Sequence, residues 1–315
     1  MSKKMSRRRF TRLTAAGMVS LPFVTKPMSA VPHYSPVRLG APVFGKYTTP
    51  GEWVSLLKKK GYKAAYCPVE PGAPKEVIRA YADEAAKADI VIAETGAWSN
   101  PLSEDPETRN AAIKKCIDNL ALAEEIGARC CVNISGSRGK QWDGPDPKNL
   151  TRETFDMIVD ITRTIIDEVK PVRTFFTLEP MPWAYPDSPD SYLELIRAVD
   201  RRAFAVHLDV VNMINSPRRY FENTAFIGEC FSKLGPYIKS IHAKDIILTS
   251  SLTTHLEERR PGNGYLNYAE FLTQVSLLGD VPFMLEHLDK ESEYDEAAAY
   301  VRSVAKDNSI PLLTW

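Results

Sequence analysis

The chain has 315 residues, 25% of them charged, with 40 Lys and Arg against 40 Asp and Glu and a formal net charge of zero; that balance gives no global attraction to polyanions or anionic membranes. A hydrophobic content of 44% with 10% aromatics supplies a large core and excludes a disordered or fibrous chain. The five Cys (Cys67, Cys116, Cys130, Cys131, Cys230) form no C-x-x-C pair, and an odd count with two adjacent members is no disulfide framework, so buried free thiols are expected.

Residues 1–30 read as an export signal: a basic start, a mildly apolar middle from about Leu13 to Val24, no acidic residue, and a small-residue end at Ser29-Ala30. Within them Ser6-Arg7-Arg8-Arg9-Phe10-Thr11-Arg12-Leu13 resembles the twin-arginine signal S/T-R-R-x-F-x-x-L at every specified position. The resemblance implies export in folded form by the twin-arginine translocase, and a periplasmic protein. The apolar run is too short, and too interrupted by Pro22, Lys26 and Pro27, to span a membrane, so stable insertion is not expected. Export after folding suits a protein that loads a metal in the cytoplasm, and it turns attention from phosphorylated metabolites to free sugars and glycosides. Changing Arg7 and Arg8 to Lys, with a triple change including Arg9 as control, is expected to hold the protein in the cytoplasm, because an ammonium does not reproduce the forked guanidinium contact. Cell fractionation checks this, and normal periplasmic accumulation of the triple variant contradicts it.

From Val31 to the C-terminus no Pro/Gly/Ser linker interrupts the pattern, which predicts one domain over residues 31–315. Short, uniformly apolar runs of the buried parallel kind occur at Val37–Phe44, Lys63–Pro68, Asp89–Glu94, Arg129–Ile134, Thr174–Glu179, Ala203–Asp209, Ile238–His242 and Val281–Glu286. Between and after them, helical patterns are predicted at about Pro50–Lys60, Pro74–Ala88, Pro106–Ile126, Arg152–Val169, Ser188–Val199, Ala225–Leu234, Tyr268–Leu278 and Glu291–Lys306. Eight alternations predict an α/β protein with the (β/α)8 TIM-barrel fold. A doubly wound open sheet is the rival, but it would favour a Gly-rich turn after the first strand, where Gly45-Lys46-Tyr47-Thr48 stands instead.

In a barrel the functional groups belong at the carboxyl ends of the strands. Four consecutive predicted strands, the fifth to the eighth, end on Glu179, Asp209, His242 and Glu286. Each alone could cap the following helix. Together, three carboxylates and one imidazole at a barrel mouth suit one divalent cation, Mn²⁺ first, with Mg²⁺, Co²⁺, Fe²⁺ or Zn²⁺ also compatible.

The C-terminal half carries Leu178-Glu179-Pro180, His207-Leu208-Asp209, Ile241-His242-Ala243-Lys244-Asp245, Pro261-Gly262-Asn263-Gly264 before Tyr268-Ala269-Glu270-Phe271, and Leu285-Glu286-His287. In order and spacing these resemble the sugar isomerases and epimerases of the xylose-isomerase-like barrel superfamily. The resemblance implies that Glu179, Asp209, His242 and Glu286 bind the metal, and that Glu179 and Glu286 face each other across the substrate as proton acceptor and donor. It also shows departures. The ketose 3-epimerase branch has a His where Asn212 stands and an Arg where Leu248 stands, both of which contact substrate in that branch.

Candidate replacements at the substrate are Lys244, which shares the side of its strand with His242, and Arg218 or Arg219 in the loop after the sixth strand. Glu94 and Asn133, ending the third and fourth strands, are placed to meet sugar hydroxyls, with helix capping as their rival role. Trp98, Trp183 and Tyr185 stand in loops where an aromatic face can stack on a sugar ring. His207 has the inward parity of Asp209 and is a candidate support beneath the metal.

The expected activity is metal-dependent isomerisation or epimerisation of a free sugar or sugar derivative by proton abstraction next to a carbonyl. The alternatives are a lyase or hydratase acting on a 3-keto-glycoside or inosose by β-elimination, and a barrel that binds sugar without chemistry. A nucleic-acid role like that of the apurinic-site endonucleases, which share the barrel but need several His ligands, conflicts with five His and zero net charge. The expected partner is thus a small-molecule sugar or glycoside; homo-oligomerisation is compatible with the sequence.

Overall fold

The computed structural model describes residues 34–315; the export-signal reading of residues 1–30 and its expected partner lie outside them. The barrel strands form along the apolar runs, and buried polar members such as Glu94 find partners inside the barrel. They are β1 (Arg38–Gly40), β2 (Ala64–Tyr66), β3 (Val91–Gly96), β4 (Cys130–Asn133), β5 (Phe176–Leu178), β6 (Phe204–Asp209) and β7 (Ile238–Ala243), with β10 (Pro282–Leu285) after a hairpin of β8 (Asp245–Leu248) and β9 (Leu256–Arg259). All barrel pairings are parallel, and the order β1-β10-β7-β6-β5-β4-β3-β2 closes on itself, so no edge is left unpaired.

The helices are α1 (Pro50–Lys60), α2 (Lys75–Lys87), α3 (Pro106–Ile126), α4 (Arg152–Val169), α5 (Pro189–Val199), α6 (Val210–Met213), α7 (Pro217–Phe221), α8 (Asn223–Leu234), α9 (Tyr268–Leu278) and α10 (Glu291–Asp307). Local chemistry sets their ends. Thr49 and Glu52 form a reciprocal capping box ahead of α1, Asp105 and Ser188 cap α3 and α5 with Pro at the first position, and Gly61 and Gly127 close α1 and α3 at positive φ. Their apolar stripes pack on the barrel's outer face through Trp53, Leu57, Leu120, Ile165, Tyr192, Leu195 and Phe271, all buried. No helix among the described residues is long and apolar enough to cross a membrane.

The eight barrel strands and the long helices stand where the alternation predicts them. The hairpin β8–β9 and the short helices α6 and α7 are additions that the eightfold rhythm does not contain. Two irregularities matter for the site. The β2–β3 register shifts so that Tyr66 pairs with Glu94, and the β6–β7 register shifts so that His207 pairs with Ser240 and Asp209 with His242. Bulges of this kind re-aim side chains beside functional centres.

Candidate active site

Glu179 directly follows β5, Asp209 ends β6, His242 lies near the end of β7, and Glu286 directly follows β10. Pairing of Asp209 with His242 across β6 and β7, and of Met284 with His242 across β7 and β10, brings these ends level. One ligand atom from each of the four side chains lies within 4.8 Å of the others. His242 Nδ1 is 3.1 Å from Glu286 Oε1 and 3.4 Å from Glu179 Oε1. Lys244 Nζ is 2.6 Å from Glu286 Oε1, 3.0 Å from Asp209 Oδ2 and 3.3 Å from Glu179 Oε1. Asn212 donates through Nδ2 to Glu179 Oε1 at 3.0 Å.

The donor set fits a divalent cation. Asp209 uses Oδ1 to accept the backbone N–H of Asn212 at 2.9 Å, while its buried Oδ2 faces the Lys244 ammonium and the buried His242 Nδ1 faces the Glu179 and Glu286 carboxylates. Three carboxylates and one imidazole nitrogen crowd one point with the Lys244 ammonium against them, and a shared divalent cation would satisfy this set of hard donors. Burial raises the pKa of Asp209 to about 6, with Lys244 opposing. Burial also opposes charge on His242, but Glu286, Glu94 and Glu179 outweigh it and hold its pKa well above the ordinary imidazole value. A divalent cation would balance this same surplus of negative charge.

Beneath this group lies a second, fully buried layer. Glu94 Oε1 is 3.0 Å from His242 Nε2, and Glu94 Oε2 accepts from Ser240 Oγ at 2.8 Å. Burial pushes the Glu94 carboxyl up, yet His242, His207 and Ser240 together hold it below its ordinary value. His207 packs edge-on to His242 with ring centroids 3.9 Å apart, and burial followed by His242 lowers its pKa to about 3, so its imidazole is neutral.

Above the four side chains opens a cavity of about 810 Å³. Of the residues singled out for substrate, Lys244, Asn212, Trp98 and Trp183 border it. The others do not. Glu94 is not at a strand end, because β3 continues through Thr95 to Gly96, and its carboxylate supports His242 from below instead of meeting sugar hydroxyls. Arg219 turns away, donating to Met213 O at 2.8 Å and stacking on Phe226, because helix α7 carries it outside the mouth. Asn133 is spent on the backbone N–H of Ser99 at 3.0 Å, and Tyr185 donates to Leu150 O at 3.2 Å while packing on Phe155.

Among the cavity residues that the sequence reading does not offer are Tyr66, Trp142 and Glu258. Tyr66 ends β2 and donates to Leu285 O at 3.2 Å. Trp142 comes from the long loop after β4. Glu258 comes from β9, with a carboxylate oxygen 3.7 Å from Lys244 Nζ and another 2.9 Å from His287 Nδ1. The hairpin breaks the eightfold rhythm, and Leu256-Glu257-Glu258-Arg259 has no apolar alternation that would signal a strand.

The spacing between Lys244-Asp245 and Pro261-Gly262-Asn263-Gly264 has a structural reason. The Asp245 carboxylate accepts four backbone N–H groups, from Ile246, Gly262, Gly264 and Leu266, at 2.9–3.0 Å. Gly262 has φ +95°, and a Cβ on Gly264 would lie 2.2 Å from Asp245 Oδ1, so both positions need glycine. Tyr268 from α9 donates to Lys244 O at 2.7 Å, which fixes the backbone that carries the ammonium.

Residues 54–304 match the family described as xylose isomerase-like TIM barrel, and the chain belongs to that family. No curated protein matches it in sequence. Among solved structures the fold resembles a xylose isomerase-like TIM barrel protein from Mycobacterium smegmatis in complex with magnesium, at 16% identity and TM-score 0.59 over 88% of this chain and 98% of that one. It also resembles a probable 3-DHS dehydratase from Bacillus anthracis, at 16% identity and TM-score 0.62 over 85% and 98% of the two chains. A third likeness is to a 3-keto-D-glucoside 4-epimerase from E. coli, at 13% identity and TM-score 0.59 over 85% and 99%.

Proposed function

We propose that this protein is a metal-dependent enzyme that removes a proton from the carbon next to a carbonyl in a sugar or sugar derivative and returns it, giving an isomer or epimer. The observation that carries the reading is the meeting of Glu179 and Glu286, from strands on different sides of the barrel mouth, with Asp209 and His242 on the floor of one cavity. The family resemblance supports Glu179, Asp209, His242 and Glu286 as the ligands. A divalent cation held there supplies positive charge against the oxygen that becomes an enediolate. One glutamate takes the proton and the other returns it. Asn212 holds Glu179 by one oxygen, which leaves the second free to face substrate. Lys244 places an ammonium beside both glutamates, where it can hold a substrate oxygen or a developing anion.

A second reading shares the first step and then expels a β-leaving group, as a lyase or hydratase acting on a 3-keto-glycoside or inosose. It is favoured by Asn212 and Leu248 standing where the ketose 3-epimerase branch has His and Arg, and by a cavity with room beyond one sugar ring. Incubating Mn²⁺-loaded protein with ketoses, 3-keto-glycosides and inososes, then separating products, distinguishes the readings. An epimer or isomer supports the first, a free aglycone or dehydrated product supports the second, and turnover of none of them counts against both. The twin-arginine-like stretch further supports a periplasmic site of action.

The Glu94 contact gives a prediction independent of turnover. An acceptor at His242 Nε2 keeps the proton there and leaves Nδ1 to ligate. Glu94→Gln preserves volume and is expected to weaken Mn²⁺ binding about 10–100-fold by calorimetry, with folded circular dichroism retained. Unchanged affinity would show that Glu94 has no part in orienting the imidazole.

A further inference from the structure

Trp98 belongs to more than one space. Its indole borders the main cavity and also a groove of about 640 Å³ outside it, between the loop after β3 and the N-terminal half of α3; Trp142 borders both spaces as well. The rest of the groove offers Glu107, Thr108 and Lys115 at its rim. The aromatic ridge is built: a Cβ on Gly96 would lie 2.4 Å from Trp98 Nε1, and Lys115 Nζ donates to Trp98 O at 3.1 Å, so the glycine admits the indole and the lysine ties its backbone to α3. Trp98 lies with its ring centroid 6.3 Å from that of His242, so the ridge begins directly above the reacting floor. Trp98 and Trp142 remain 37% and 40% exposed, which leaves indole surface uncovered.

We infer that the groove is a second sugar subsite, which holds the outer ring of a disaccharide-like glycoside whose inner ring sits on the Glu179–Glu286 floor. This rests on the proposed function for the inner ring and adds the size and class of the substrate. Indole faces flanked by hydroxyl, carboxylate and ammonium groups match a sugar ring, which has an apolar C–H face and a polar edge. The main cavity alone lies high in the ~300–1,000 Å³ range of pockets that enclose drug-sized ligands, and a hexose has only about a dozen non-hydrogen atoms. The inner space and outer groove share the two tryptophans as a border, so a ring linked to one in the inner space would reach the groove by passing over these indoles.

The test is calorimetric binding of cellobiose, maltose and sucrose, against glucose and methyl glucoside, to Mn²⁺-loaded full-length protein. At least one disaccharide is expected to bind about tenfold or more tightly than methyl glucoside. Trp142→Ala is expected to remove that gain, and Trp142→Phe to restore most of it. Because Trp142 also borders the inner cavity, Ala111→Trp is the independent variant: Ala111 is an exposed position of α3 on the groove wall, and an indole there fills only the outer space. It should bring disaccharide affinity down to that of methyl glucoside. Disaccharides binding no better than methyl glucoside, or an advantage untouched by both Trp142→Ala and Ala111→Trp, overturns the second subsite while leaving the inner site standing. Binding of an aromatic glucoside in the groove with no disaccharide advantage also overturns it. If neither sugar size binds, the second subsite is overturned, and the inner site is judged separately by turnover of the ketoses, 3-keto-glycosides and inososes.

Discussion

Glu179→Gln and Glu286→Gln are each expected to lower turnover at saturating metal by at least about 10²-fold, the usual worth of a positioned acid or base. Gln keeps the size of the side chain and one ligating oxygen, so metal binding should weaken only in part. Ala variants would lose both functions at once and could not separate them. The two sites should also differ in kind. If one variant still exchanges the substrate proton with solvent yet forms no product, that residue returns the proton and its partner removes it. Near-native turnover in both variants would contradict the two-carboxylate mechanism and move attention to Lys244, whose ammonium lies 2.6 Å from Glu286 and 3.3 Å from Glu179.

Asp245→Ala is expected to be the most destabilising single change near the site without touching a proposed ligand. Its carboxylate is buried and satisfies four backbone N–H groups at once. Removing it orphans those donors, at about 1–3 kcal/mol for each that stays dry, and the exposed turn at Asn263 and Gly264 lets some rehydrate. A net loss of about 2–5 kcal/mol follows, on the order of 5–15 °C in a thermal melt. Asp245→Asn should lose less, because its oxygen still accepts while its amide nitrogen faces donors. A melting temperature within about 2 °C of wild type for Asp245→Ala would contradict the anchoring role.

The barrel was legible because its evidence is repeated. Eight apolar runs, each followed by a helical pattern and some with a start signal such as Ser188-Pro189, leave few alternatives, and the strand ends name Glu179, Asp209, His242 and Glu286. What escaped lies where the rhythm breaks. Glu94 was placed at a strand end because the apolar run stops there, but β3 runs on to Gly96 and a register shift turns the carboxylate under His242. Arg219 was placed on a loop, yet Ser216-Pro217 starts a short helix that turns the guanidinium onto Phe226. Glu258 and Trp142 come from a hairpin and a long loop whose paths depend on tertiary contacts, such as Trp183 Nε1 donating to Asp143 O at 2.8 Å. The pairing of Asp245 with the Pro-Gly-Asn-Gly turn was visible as a motif, but its cause, four amides on one carboxylate, needed three dimensions.

The central claim is that Glu179 and Glu286 move a proton at a carbon next to a sugar carbonyl. Solvent exchange tests it most directly. Mn²⁺-loaded protein is incubated in D₂O with ketoses, 3-keto-glycosides and inososes, and deuterium at each carbon is read by NMR. The account predicts incorporation at a carbon adjacent to the carbonyl of at least one substrate, abolished in the Glu179→Gln, Glu286→Gln double variant. No incorporation into any of these substrates by metal-loaded wild type, or incorporation that persists undiminished in the double variant, would contradict it.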